Sequence, residues 1–385
     1  MTPPPLSLYV HLPWCVRKCP YCDFNSHSAG SGAPTERYVS ALLADLDREA
    51  QRAAGRTIVS LFLGGGTPSL FAPAEIERLL HGVRERFDVA DDIEVTMEAN
   101  PGTVECGAPA GYRDAGVTRL SIGAQSFDDD ALRRLGRIHT SDDIRRAVEE
   151  ARDGGFDNLN LDLMHGLPGQ TLAGAEADVK AAIELGPSHL SWYQLTLEPN
   201  TVFYARPPED LPDEETAYAI QDAGAALLHA AGFEQYEVSA WAREGRRCRH
   251  NLNYWLFGDY LAVGAGAHGK LSTRDGVFRY RKAANPLQYM LAMEESHAGG
   301  NDLNPIPDNE LLFEFMLNAL RLNDGFAEAL FLARTGLSRR ALEETASGAI
   351  DRGLLQRSDD ANWKPTDLGR RFLNDLQAEF LRDSQ

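Results

Sequence analysis

Apolar and β-branched residues gather into six short runs in the first half of the chain: "LSLYVHL", "IVSLFLG", "IEVTMEA", "TRLSIGA", "NLNLDLMHG" and "HLSWYQLTL". Between them, residues 74–87, 128–135, 141–154 and 172–185 carry apolar positions at spacings of three and four, the period of an amphipathic helix. Strands alternating with helices predict a parallel sheet, barrel-like or doubly wound. Polar and glycine residues close four successive runs, as "GGGTPS", "EANP", "GAQS" and "DLMHGLP". These are strand carboxyl ends, where a β/α barrel builds its site from loops, so the four groups are expected to line one site.

The strand–helix alternation is lost at residues 198–212, where "EPNTVFYARPPEDLP" is rich in proline. A barrel domain is therefore expected over 1–210, a connecting α+β region over 211–305 and a helical domain over 306–385. The connecting region is predicted to open with a helix over 213–231. It continues through "FEQYEVSAWA" into the glycine-rich "YLAVGAGAHG". The last stretch, "WKPTDLGRRFLNDLQAEFL", reads as part of a small winged-helix-like unit with a packing role.

Of 385 residues, 43% are apolar and 25% charged, as in ordinary soluble globular proteins. No apolar run is long enough to span a bilayer, and the first residues lack a signal-like pattern, so the cytoplasm is the expected location. A formal net charge of −19 argues against nucleic acid as the partner. Basic residues do cluster at "RRLGR" (133–137) and at "AREGRRCRH" (242–250).

Five cysteines, an odd number, do not make a disulfide framework. Three of them, Cys15, Cys19 and Cys22, form a CxxxCxxC loop after the first strand, and Pro13 and Pro20 keep that loop from becoming a helix. Cys106 and Cys248 are distant and isolated. Three thiolates leave one coordination position of a bound metal centre open, an arrangement suited to chemistry rather than to structure. A structural zinc site completed by His11 or His27 is the alternative on spacing alone.

The CxxxCxxC loop, preceded by "LYVHLPWC" and followed by "GGGTPS", resembles the radical S-adenosylmethionine superfamily. The resemblance implies a partial (β/α)6 TIM-like barrel in which Cys15, Cys19 and Cys22 hold a [4Fe–4S] cluster. It also implies that S-adenosylmethionine chelates the fourth iron and is cleaved to a 5′-deoxyadenosyl radical. Over nearly its full length the chain is similar to the oxygen-independent coproporphyrinogen oxidase branch, and within it to the HemW haem chaperones. By that resemblance Gly65, Gly66 and Thr67 contact the methionine end of the cofactor, where a backbone lacking Cβ atoms permits close approach. Tyr9 and Tyr21 flank the cluster loop, and Glu98, Gln125, Arg137 and Asp162 surround the cofactor.

"CRHNLNYW" (248–255) offers an imidazole, amides and two large aromatics beside a basic run. Such a set suits a planar anionic macrocycle, with histidine on iron, aromatics on the ring and arginines on propionates. A histidine and two aromatics packed at a domain junction would read the same way. "HNLNYW" matches the HNxxYW motif of the haem chaperones, which makes His250 the leading ligand of haem b and His268 in "GAGAHG" a weaker one. The implied function is haem binding and delivery to recipient haem proteins, those of the respiratory chain being expected. Peripheral contact with the inner membrane face and a homodimer stay open. The alternative is a coproporphyrinogen III dehydrogenase. Oxidases of that branch have a further cysteine two positions after the third and an amino-terminal extension, whereas "DF" follows Cys22 and Tyr9 stands near the start. Another radical reaction on a tetrapyrrole is the third reading.

Overall fold

The computed structural model describes residues 3–30, 32–102, 107–295 and 303–381. Six strands, β1 (Leu6–Leu12), β2 (Ile58–Gly65), β3 (Val89–Ala99), β4 (Arg119–Gln125), β5 (Leu159–His165) and β6 (His189–Gln194), pair in parallel in chain order. A seventh parallel strand, β7 (Asp259–Val263), lies on the free edge of β1, with Leu6 opposite Asp259 and Val10 opposite Val263. Beyond it, β8 (His268–Thr273) and β9 (Gly276–Arg281) continue the sheet antiparallel. The expected partial (β/α)6 barrel is present, and strands of the 211–305 region extend its sheet.

The strand sequences explain why the interior is polar. Along β1, Leu6, Leu8, Val10 and Leu12 form the apolar face and belong to the main core, which also contains helix residues such as Leu42, Ile76, Ile144 and Val179. Ser7, Tyr9 and His11 alternate onto the other face, because successive side chains of a strand point to opposite sides. The register carries that polar row around the sheet: Ser7 stands opposite Ser60, Ser60 opposite Glu94, Thr96 opposite Arg119, Ser121 opposite Asn160 and Asn160 opposite His189. The interior is thus hydrogen-bonded instead of filled with aliphatic side chains.

The predicted helices appear at Pro73–Arg86, Asp129–Arg134, Ser141–Asp153, Leu172–Glu184 and Glu214–Ala230. Sequence reading did not single out α1 (Thr35–Ala53), although its buried Tyr38, Val39, Leu42 and Leu46 follow the helical period. Helix α1 is tied to the connecting region by buried charge. Lys282 Nζ donates to Asp45 Oδ1 at 2.6 Å and to Glu49 Oε1 at 2.7 Å, and Tyr289 donates to Asp45 Oδ2 at 2.8 Å. A second buried pair, Lys270 with Asp259 at 3.0 Å, is joined by Arg56 at 2.8 Å and anchors β7.

The carboxy-terminal part runs helix (Asp308–Ala319), strand (Phe326–Ala327), helices (Glu328–Thr335 and Arg339–Asp351) and two strands (Leu355–Arg357 and Asn362–Pro365) that share one small sheet. This is a winged-helix-like order around its own core of Phe315, Phe326, Phe331 and Trp363, which Phe257 joins from the connecting region. Among the described residues no helix is long and apolar enough to cross a membrane.

Replacing Lys282 by Met strips the buried Asp45 of its cation and leaves the buried Glu49 only its pair with Arg52. The expected loss of stability is about 3–5 kcal/mol in urea unfolding. Arg246→Ala, which removes an exposed pair with Asp157, should cost less than about 1 kcal/mol in the same measurement.

Candidate functional site

After β1 the chain forms a closed loop. Trp14–Cys15 pairs in parallel with His27–Ser28, and the His27 amide donates to the Pro13 carbonyl at 2.7 Å. Within the loop the Cys22 amide donates to the Cys19 carbonyl at 3.2 Å, and the Lys18 ammonium donates to Phe24 O at 2.9 Å. Cys15, Cys19 and Cys22 are free, half-buried thiols. Burial pushes Cys15 and Cys22 above the ordinary thiol value, a shift reinforced by the charges of the neighbouring cysteines. The loop therefore holds the three sulfurs within mutual electrostatic reach.

Among the described residues no three His, Cys, Asp or Glu side chains are grouped to hold a single metal ion. A closed zinc site with His11 or His27 would have to take the histidine from hydrogen bonds it already makes. His11 uses both ring nitrogens, with Tyr9 OH at 3.0 Å and Asn25 O at 2.9 Å, and His27 bonds Asn25 Oδ1 at 3.2 Å. Among the described residues no fourth cysteine lies beside the three, which leaves one coordination position of a bound cluster open. Cys248 is buried elsewhere against Glu94 at 3.6 Å, and Cys106 lies outside the described residues.

The polar strand ends do converge on this loop. Arg137 donates to Cys19 Sγ at 3.6 Å, to Gly123 O at 3.1 Å and to Asn100 Oδ1. Asn100 in turn donates to Thr67 Oγ1 at 2.9 Å. Asn100, in "EANP", joins the site, and in the sequence only its strand-end position signals this. The Gly65 amide donates to Glu98 Oε2 at 3.1 Å. Burial, with the Asp162 charge second, pushes Glu98 up to about 7. Asp162 accepts from Ser121 at 2.9 Å and from Asn160 at 2.8 Å. Gln125 is buried in the left-handed region at φ 62°, with its Oε1 lacking a partner. His165 Nδ1 is likewise buried and unpartnered. These orphaned polar atoms at strand ends are what a polar cofactor would satisfy.

Gly65, Gly66 and Tyr21 also serve the protein's own packing. At Gly65 (φ 112°) a Cβ would overlap the His11 ring, and at Gly66 it would approach the Trp14 carbonyl oxygen at 2.5 Å. Neighbouring protein, not only a ligand, therefore requires these glycines. Tyr21 packs with Phe203, Tyr193 and Met164 at the strand ends, as a core aromatic does.

The helix Arg249–Trp255 plugs the polar interior. His250 is 1% exposed and shares hydrogen bonds with Ser60 Oγ at 3.2 Å and Tyr254 OH at 3.0 Å. It packs against Phe62 and Tyr9, and burial pushes it down to about 3, keeping it neutral. Both of its nitrogens are thus committed. Proximity in the sequence had suggested that the basic run would serve propionates. Instead Arg246 pairs with Asp157, Arg247 with Asp324 and Arg249 with Asp92. Tyr254 and Trp255 do reach a cleft of about 660 Å³, which they share with Tyr9, Asp23, Phe24, Gly65, Glu98, Tyr260 and His268.

Residues 9–182 match the family model of the Radical SAM superfamily, and residues 306–372 match that of the HemN C-terminal domain. The Heme chaperone HemW of Escherichia coli (strain K12) is 48% identical over 381 residues, 99% of each chain. Its counterpart in Haemophilus influenzae is 47% identical, again over 99% of each chain. The Bacillus subtilis protein of the same name is 32% identical over 97% of this chain and 99% of its own. Among solved structures, the coproporphyrinogen III oxidase HemN of Escherichia coli, described as a radical SAM enzyme, matches with a TM-score of 0.81. It covers 98% of this chain and 90% of its own at 24% identity, a likeness of fold.

The state of Glu98 is open to a linkage measurement on cluster-free protein. Its folded pKa of about 7 lies above the ordinary glutamate value of 4.5. Between those values the folded state holds a proton that the unfolded chain has released. The stability it contributes is full at low pH and is lost as pH rises through 7. Urea unfolding from pH 4.5 to 8 should show the wild type losing stability relative to Glu98→Gln.

Proposed function

Because this chain belongs to the radical S-adenosylmethionine superfamily, and within it to the family of the heme chaperone HemW, we propose that it binds haem and delivers it to recipient haem proteins. The observation that carries the reading is the shared cleft, whose wall runs from the cysteine loop and the Gly65–Glu98 strand ends to Tyr254 and Trp255. A flat macrocycle placed there would meet aromatic side chains on one side and the radical-type site on the other.

The chain's residues have distinct tasks in this reading. Cys15, Cys19 and Cys22 would hold a [4Fe–4S] cluster, with S-adenosylmethionine bound beside it. When bound, these groups supply one-electron chemistry. The glycine loop and Thr67 form the floor for the methionine end, while Glu98 and Asp162 accept hydrogen bonds from amino or hydroxyl groups. Arg137 sits against Cys19 and donates a hydrogen bond to its sulfur. Gln125 Oε1 offers a further buried acceptor.

Exposed apolar side chains stand on segments that follow strand ends: Val16 and Phe24 after β1, Ile138 after β4, and Val202 and Tyr204 in the short helix Val202–Ala205 after β6. They form an apolar rim for a recipient protein to dock on. Haem proteins of the respiratory chain, approached at the inner membrane face, are the proposed recipients.

Anaerobically reconstituted protein should carry about four irons and four sulfides per chain. Cys15→Ala, Cys19→Ala or Cys22→Ala should abolish the cluster's absorption, and Cys248→Ala should keep it. A colourless zinc protein would overturn the cluster assignment. Offered both haem and coproporphyrinogen III, the wild type should bind haem and leave the porphyrinogen unchanged. Decarboxylation without haem binding would replace the chaperone reading by the oxidase one.

A further inference from the structure

The cleft that Tyr254 and Trp255 reach contains one imidazole with nothing to hold. His268 opens β8, is exposed, and makes no side-chain hydrogen bond among the described residues. The other histidine lining the cleft, His11, has both nitrogens engaged, and His250 is not among the lining residues at all. Ligation of iron needs an accessible nitrogen lone pair, which His268 offers without breaking an existing bond.

What surrounds His268 matches the rest of a haem. In the β8–β9 ladder His268 stands directly opposite Arg281. Opposed residues of an antiparallel pair project from the same face, so the guanidinium lies beside the imidazole. Arg281 is exposed and, among the described residues, has no acidic partner. Arg279, two positions along the same face, is by contrast occupied by Glu314 and Tyr260. Trp255 adds a buried indole Nε1 without a partner.

We propose that His268 is the axial ligand of the haem iron, with Arg281 meeting a propionate and Tyr254 and Trp255 packing on the ring. The assignment rests on the haem-binding reading above and deepens it. His250 then acts as a positioning residue: it touches no iron, and its hydrogen bond holds Tyr254 at the cleft wall.

The test is titration of cluster-reconstituted protein with ferric haem under anaerobic conditions. It is followed by difference absorption and by resonance Raman excited in the Soret band. His268→Ala should shift the Soret maximum, lose the histidine-ligation signature and weaken binding by ~10-fold or more. Exogenous imidazole should restore the band, an effect that a merely structural defect would not show. Arg281→Ala should weaken binding without moving the band. His250→Gln, which keeps a polar group for Ser60 and Tyr254, should also keep the band position. If His268→Ala retains the wild-type band and affinity, or if His250→Gln alone moves the band, the ligand assignment is wrong while haem binding stands. If the wild type ignores haem, the functional reading itself falls.

Discussion

Parallel pairing on both edges of β1 is the constraint from which the site follows. On one side β1 runs beside β2, so the cysteine loop emerges next to the glycine loop; on the other it runs beside β7, so it emerges next to the turn leading to His268. Parallel strands all deliver their carboxyl ends to one side of a sheet, and three chemistries meet there without any being close in sequence. The contact is tight. A Cβ at Gly264 (φ 103°) would overlap the His11 carbonyl, and Tyr38 donates to His11 O at 3.0 Å while accepting from the Ala265 amide at 2.7 Å. Asn25 of the cysteine loop reaches across to Ala265 O at 2.9 Å and Ala284 O at 2.8 Å.

Holding β7 against β1 is the work of buried charge. Asp259 stands opposite Leu6 and takes Lys270 and Arg56, while Lys282 and Tyr289 lock the following segment onto α1. Such pairs contribute little net stability compared with apolar packing, but a mispaired edge would strand charges in the core. They favour one register for the strand that carries the loop to His268. Burial pushes Lys270 down to about 8, its ion pair opposing part of that shift.

The polar face of the sheet divides by depth. Near the amino ends, Ser7, Ser60, Glu94, Asn160 and His189 bond to one another or to the Arg249–Trp255 helix and its flank, while Thr96 Oγ1 and Arg119 Nε are buried without a partner among the described residues. Near the carboxyl ends, Glu98 is held partly protonated near neutrality, and Gln125 and His165 keep unpaired atoms. Structure at one end and reactivity at the other come from the same alternating pattern.

The sequence by itself determined the strand–helix alternation, the strand-end positions of Gly65, Glu98, Gln125 and Asp162, and the three-thiolate loop. Each of these depends on local periodicity or on spacing within a dozen residues, which the chain displays directly. The hydrogen bonds of Asn100, the commitment of His250 to Ser60 and Tyr254, and the juxtaposition of His268 with Arg281 were decided only by tertiary structure. A histidine in an aromatic motif and one in a glycine-rich turn look alike as residues. Which is free to bind depends on partners supplied by β2 and its own helix for His250, and on their absence among the described residues for His268. Those partners lie up to 190 residues away. Only the register of the folded sheet brings them within the roughly 3 Å at which a lone pair is either used or left open.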